Sequence, residues 1–329
     1  MRAAVITRFG DPDVLEIQDV PAPVPGPHEI LVRVIASALN RADLLQRLGR
    51  YPAPAGVPRD IPGIEFAGEV ADVGPQQSIW NVGDRVFGLV GGGAHAEFLV
   101  AHEETVLRIP DQLPWENAGA IPEAFITAHD ALVMQAGVRS GETVLIHAVG
   151  SGVGLAATQL ARCWGAIPFG TSRTADKIEA ARAFGLEDGV VVGTDPEAMI
   201  VPSGRWTAGR GFDVICDLVG GAYVAPSIEV LGMKGRLMLI GTVAGGRATV
   251  ELGRVLGKRL TIRGTVLRAR PLDEKILVAR AFERDVIPRI AWGDVRASVD
   301  AVFPLERIAD AHRRMESNAN VGKLVLRMA

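Results

Sequence analysis

Up to about residue 120, apolar and polar positions alternate in short runs divided by proline and glycine: AAVITRF, VLEIQDV, EILVRVIAS, IEFAGEVADVG, DRVFGLV and AEFLVA. Alternation with a period of two predicts short, half-buried strands and hence a β-rich lobe. One segment breaks the pattern. NRADLLQRLG carries Leu44, Leu45 and Leu48 at helical spacing after Asn40, a good N-cap residue, and predicts an amphipathic helix with those leucines on its buried face. From about residue 140 the pattern changes to continuous apolar runs between helical ones: TVLIHA, VGLAATQLARCWG, AIPFGTS, ADKIEAARAFG, GVVVG, FDVICDLVG and RLMLIGTV. Strands that are apolar throughout, with helices between them, predict a parallel sheet covered on both faces. After about residue 265 come a helix near 272–284, a strand in SVDAVFPL, a helix in LERIADAHRRMES and a strand in GKLVLR. This last block is too short for a core of its own and is expected to fold back onto the first lobe.

A chain of 329 residues is long enough for two domains of roughly 100 to 200 residues each. With 48% hydrophobic and 22% charged residues it has the profile of a folded enzyme and not of a disordered chain. A net charge of −3 gives no global attraction to nucleic acid or to an anionic membrane. The N-terminus, MRAAVITRFGDPDV, alternates like a strand and lacks the apolar stretch of a secretory signal, and no run approaches the roughly 18 apolar residues of a membrane span, so a cytoplasmic location is expected. Cys163 and Cys216 are too few for a disulfide framework or a four-cysteine zinc lobe, and both sit in apolar segments that predict buried thiols.

The chemistry is written most clearly in TVLIHAVGSGVGLAATQLARCWGA, an apolar strand, a glycine turn and a helix. A dinucleotide pyrophosphate is held in this setting, because the start of a helix offers free N–H groups and a partial positive charge. The spacing departs from G-x-G-x-x-G: with Gly154 as the last glycine, Val149 and Ser151 stand where the first two would be. About 20 residues on, an acid would select the 2′-hydroxyl of NADH. Here the chain reads Gly170-Thr171-Ser172-Arg173, with Lys177 a turn later, which suits the 2′-phosphate of NADPH.

These segments, with ASALNRADLLQRLGRYP, LVGGGAHAEF, AIPEAFITAHDAL, GTVLRAR and AHRRMESNANVGKLVL, resemble the zinc-free, zeta-crystallin-like quinone oxidoreductases of the medium-chain dehydrogenase/reductase superfamily, in particular the tumour-suppressor-inducible type. The resemblance runs end to end and implies an α/β chain: a GroES-like β-rich catalytic domain over residues 1–122 and 266–329, and a Rossmann domain with a doubly wound parallel sheet over 123–265. It also implies NADPH in a cleft between them, a quinone or related conjugated carbonyl as substrate, and a homodimer. Zinc-binding relatives carry cysteine where this chain has Asn40 and Gly-His-Glu where it has Gly63-Ile64-Glu65, so no metal site is expected. Glu65 then reads as a buried carboxylate paired within its lobe. By the same resemblance Asn40 and Thr127 lie beside the nicotinamide ribose and ring, and Ser151, Gly152 and Val153 cradle the pyrophosphate. Ser172, Arg173 and Lys177 meet the adenosine phosphate, Ile240, Gly241, Thr242, Val266 and Leu267 hold the carboxamide end, and Lys323 reaches the cofactor from the C-terminal segment. Asn40 and Tyr51 are the catalytic candidates, Tyr51 because a phenol both stacks on a quinone and hydrogen-bonds its oxygen. Relatives often place a tyrosine near the end of the third strand against the adenosine phosphate, where this chain has Val190-Val191-Val192-Gly193.

Reduction of an enone or alkenal double bond uses the same fold and hydride geometry and stands as an alternative. RNA binding is a rival of another class, suggested by Arg254, Lys258, Arg259, Arg263, Arg268 and Arg270, a basic run without acids. Alternation in KRLTIRGTV argues for charges along one strand face with no aromatic platform, which disfavours it. His129 and His147 read as satisfied structural residues.

Overall fold

The computed structural model describes residues 1–76 and 78–328. It divides into one unit of residues 1–126 and 267–329 and a second of residues 127–266.

The first unit is built on a seven-stranded sheet. Its longest strand, Glu29–Ala38, pairs antiparallel with Glu65–Val73, with Phe98–His102 and, at its end, with the C-terminal strand Lys323–Arg327. The C-terminal block therefore does return to the first lobe: Val325 lies opposite Ala38, and Val299–Pro304 adds beside it in parallel. Alternation supplies the core, in which Ile30, Val32, Val34, Phe66, Val70, Leu324 and Leu326 are all buried. Gly68 permits the closest strand contact, because a Cβ there would stand 2.2 Å from the Arg33 carbonyl oxygen.

The helix after Asn40, Arg41–Arg47, departs from its expected packing. Leu44 is buried, but Leu45 is 39% exposed, and the residues buried with Leu44 are Asp43, Gln46 and Arg47. Arg47, fully buried, donates to the Gly10 carbonyl, to His312 Nδ1 and to Glu316. A buried charge is tolerated only when it is partnered in this way.

The second unit carries six parallel strands, and numbering them along the unit gives the order 3-2-1-4-5-6. That is the doubly wound dinucleotide-binding order, with its switch point between the strands Thr143–Ile146 and Phe212–Asp217. Its core joins Leu145, Phe169, Phe212, Ile215 and Leu237, and Phe169 stacks on Trp206 with ring centroids 5.0 Å apart. Cys216 is buried here, with its thiol pushed up to about 12, whereas Cys163 is only half-buried. Two short helices escaped the apolar pattern. Ile200–Trp206 contains Pro202 and Gly204, and Leu252–Lys258 has no buried residue. Among the described residues no helix is long and apolar enough to cross a membrane.

Candidate functional site

In the second unit the strand Thr143–Ile146 runs into His147 and then into a tight turn in which Ala148 has φ +50°. The helix Gly152–Cys163 follows at once, capped by Ser151, whose Oγ accepts the Gly154 N–H at 3.0 Å. A Cβ on Gly154 would stand 2.6 Å from the Ala148 and Val149 carbonyl oxygens, and one on Gly150 would stand 2.7 Å from Lys177 Cβ. Helix start and turn thus meet backbone to backbone, a cradle that side chains would fill. Gly152 and Val153 occupy the first positions of the helix, whose N–H groups have no intrahelical acceptor.

Beneath the turn, the Ser227 hydroxyl donates to the Tyr223 carbonyl, so it accepts from His147 Nε2 at 2.8 Å, and His147 Nδ1 receives the Thr171 hydroxyl at 3.0 Å. Burial holds His147 below its ordinary pKa, so the ring is neutral and structural, as its place at a strand end suggests. Beside it Asp217 ends the fourth strand. Its Oδ1 accepts the Val219 and Gly220 N–H groups, while Oδ2 is buried without a hydrogen-bond partner. An unsatisfied carboxylate oxygen at the switch point is a place for a ligand hydroxyl.

Ser151, Gly152, Val153, Ser172, Arg173, Lys177, Ile240, Gly241 and Thr242 all lie at or beyond the carboxyl ends of the parallel strands. Ser172 is buried and Arg173 exposed. The Ile240 and Gly241 N–H groups both reach the Asp217 carbonyl, joining two strand ends. Thr127 is buried, and Val266 is half-exposed. The end of the third strand carries no tyrosine; Tyr223, after the fourth strand, packs edge-on against His147, with centroids 5.1 Å apart, and its phenol lies in the field of Arg173. The sequence reading missed both Tyr223 and Asp217. The only local signal was Asp217 followed by the Gly220-Gly221 turn.

In the first unit, Asn40, Glu65 and Lys323 form a closed cluster. Glu65 Oε1 accepts from Lys323 Nζ at 2.6 Å and from Asn40 Nδ2 at 2.8 Å, and Oε2 accepts the Glu123 N–H at 2.8 Å. Lys323 Nζ also donates to Asn40 Oδ1 at 2.6 Å and to the Leu39 carbonyl at 2.9 Å. The Asn40 N–H goes to Asp43 Oδ2, and Asp43 Oδ1 accepts the Gly63 N–H. An ammonium has three donors, and those of Lys323 are all taken. Within the cluster Lys323 holds Asn40.

Zinc does not fit this set. Asn40 and Ile64 supply neither thiolate nor imidazole, and Glu65 already faces an ammonium. Among the described residues no group of three His, Cys, Asp or Glu side chains could hold a metal ion.

Tyr51 lies under the Arg268 guanidinium, 4.9 Å from its ring centroid. Arg268 is 7% exposed and donates to the Gly91 carbonyl and to Gln46 Oε1, each at 2.6 Å. Next to it is a mainly apolar pocket lined by Ile64, Leu89, Val90, Ile126, Leu267 and Val278, with Thr105, Glu123, Arg268 and Lys275 as its polar members. The basic run of the sequence is dispersed. Arg254 pairs with Glu229 and Glu251, Lys258 donates to backbone carbonyls, Arg263 to Gln135, Arg270 pairs with Glu274, and Arg268 is buried.

Residues 26–111 match the family described as alcohol dehydrogenase GroES-like domain, and residues 152–283 match that described as zinc-binding dehydrogenase. A protein of Pseudomonas aeruginosa named quinone oxidoreductase is 33% identical, over 97% of each chain. Among solved structures, a mycobacterial protein complexed with NADPH is 28% identical with a TM-score of 0.88, covering 99% of this chain and 100% of its own. The JamJ enoyl reductase is 27% identical with a TM-score of 0.89, covering 100% and 99%.

Proposed function

Because the chain belongs to the quinone oxidoreductase family of the medium-chain dehydrogenase/reductase superfamily, we propose that it is an NADPH-dependent reductase of quinones that works without zinc. The observation that carries this reading is the Asn40–Glu65–Lys323 cluster, in which a buried ammonium faces Glu65, the glutamate of the segment that reads Gly-His-Glu in zinc-binding relatives and Gly63-Ile64-Glu65 here. An acceptor that needs no Lewis acid suits such a site. A quinone is one, since it is electron-poor and its reduced oxygens take protons from water.

When bound, NADPH supplies a hydride from its nicotinamide ring. The residues do the rest by placement, which carries most of the catalysis in such a reaction. The Gly152 and Val153 N–H groups receive the pyrophosphate behind the Ser151 cap. Ser172, Arg173 and Lys177, with Tyr223 beside Arg173, form the donor-rich subsite for the 2′-phosphate. Asn40, locked by Lys323, and Thr127 serve the nicotinamide end, together with Ile240, Gly241, Thr242, Val266 and Leu267. Tyr51, held by Arg268, lines the acceptor side. NADPH oxidation measured across ortho-quinones, para-quinones and enones, with and without chelator, tests this reading. Activity lost in chelator would overturn its zinc-free part. Faster turnover of enones would favour double-bond reduction, which the likeness to an enoyl reductase supports.

A homodimer belongs to the same reading. The edge strand Thr261–Gly264 is exposed along its length, and Leu252, Leu256 and Ile262 of the same unit are exposed apolar residues. An open edge with apolar neighbours is readily closed by a second copy about a two-fold axis. Light scattering at micromolar concentration should give twice the chain mass, and Ile262→Asp should give the monomer.

A further inference from the structure

The apolar pocket of the first unit receives three charged side chains, and they are not equally answered. Arg268 gives its N–H groups to Gly91 and Gln46 and lies on the Tyr51 ring. Glu123 acts on both Arg268 and Tyr51, so its charge has a cation close by. Lys275, in the first turn of the helix Leu272–Asp285, is half-buried at the wall, and its ammonium makes no hydrogen bond or ion pair among the described residues. Its neighbour Glu274 turns instead to Arg270, and Asp273 is exposed to solvent. Burial alone lowers the pKa of Lys275.

A lysine stem is long enough to carry its charge out to water, and a half-buried ammonium without an acceptor is a net cost to the folded chain. Asp43 and Glu123 both act on Arg268, whereas no carboxylate acts on Lys275, whose charge stands unanswered at the apolar wall. A neutral acceptor would bury the ammonium further and offer it at most a carbonyl oxygen, with no opposite charge. An acceptor bearing an anion would supply the missing charge-assisted hydrogen bond.

We propose that the pocket takes an acceptor whose apolar body carries one anionic group, a carboxylate or an acidic ring hydroxyl, and that Lys275 pairs with that group. This rests on the pocket being the acceptor site of the quinone reductase proposed above. Lys275 is then a specificity-determining residue: it reads the substituent of the acceptor, away from the bond that receives hydride.

The test compares menadione with naphthoquinone sulfonate, a neutral and an anionic acceptor of similar ring size, in the full chain with NADPH. The ratio of kcat/KM, anionic over neutral, is expected to fall about tenfold in Lys275→Gln, mostly through KM, and to be kept in Lys275→Arg. A ratio that is the same in the unmutated protein and in Lys275→Gln overturns the proposal, since a lysine that only covers apolar wall would read no charge. If neither quinone is reduced, the quinone reading fails, and calorimetric titration of naphthoquinone sulfonate decides the pocket separately. Binding about tenfold weaker in Lys275→Gln supports the anion site, and equal binding overturns it.

Discussion

The glycine turn of the parallel-sheet unit and the Asn40–Glu65–Lys323 cluster of the β-rich unit are built on opposite plans. In the turn, side chains are kept out and backbone donors are left without partners at the start of the helix, with the orphaned Asp217 oxygen nearby. In the cluster, the ammonium, the carboxylate and the amide bond to one another until no donor of Lys323 remains. A ligand is received where partners are withheld. Where they are all supplied, a residue is held still. On the reading proposed above, the turn binds and the cluster orients Asn40, and Lys275 belongs with the turn although it lies in the other unit.

The contrast breaks first at Lys323. Lys323→Met would leave Glu65 buried without its cation, and removing one partner of a buried pair costs about 3 to 5 kcal/mol. Chemical denaturation should show that loss and a partial recovery when Glu65→Gln is added. A loss below about 1 kcal/mol would mean that the cluster behaves like a surface pair. Gly154→Ala comes next, because its methyl group must displace two carbonyl oxygens. A stability loss of about 1 to 3 kcal/mol is expected, with NADPH affinity, read by fluorescence titration, falling as well. Unchanged affinity would show that the turn does not hold the cofactor.

The donor-rich strand end sharpens the contrast at lower energy. A charge-assisted contact contributes about 1.5 to 3 kcal/mol, reduced here because Arg173 is exposed. NADPH is therefore expected to be preferred over NADH by about tenfold or more in kcat/KM. The preference should fall in Arg173→Ala, fall further with Lys177→Ala, and shrink as salt rises. Parity in the unmutated protein would refute the assignment. The smallest effect is expected at Tyr51, whose contact with Arg268 contributes about 1 kcal/mol. Tyr51→Ala should lower kcat/KM for quinones severalfold and leave the NADPH dissociation constant nearly unchanged. A matching loss of cofactor affinity would make the residue structural.

The parallel sheet, the glycine turn and the strand-end donors were legible in the sequence because each is a local property. A run of apolar residues makes a covered strand, and Gly154 three residues after the cap residue Ser151 makes a tight helix start, whatever lies elsewhere in the chain. The helix after Asn40 was legible as a helix and misread as to its face. Its leucine spacing is local, but the burial of Asp43, Gln46 and Arg47 depends on partners far along the chain: Gln46 meets Arg268 at a separation of 222 residues, and Asn40 meets Lys323 at 283. The same holds for the basic run. Arg268 was one charge among several in the sequence and is a buried support for Tyr51 in the fold. What the sequence determined alone was the parallel-sheet strands and the glycine turn that caps a helix. The tertiary structure alone decided which charges are satisfied, because a buried charge takes its meaning from the acceptor opposite it, and here those acceptors come from distant segments that no local pattern can encode.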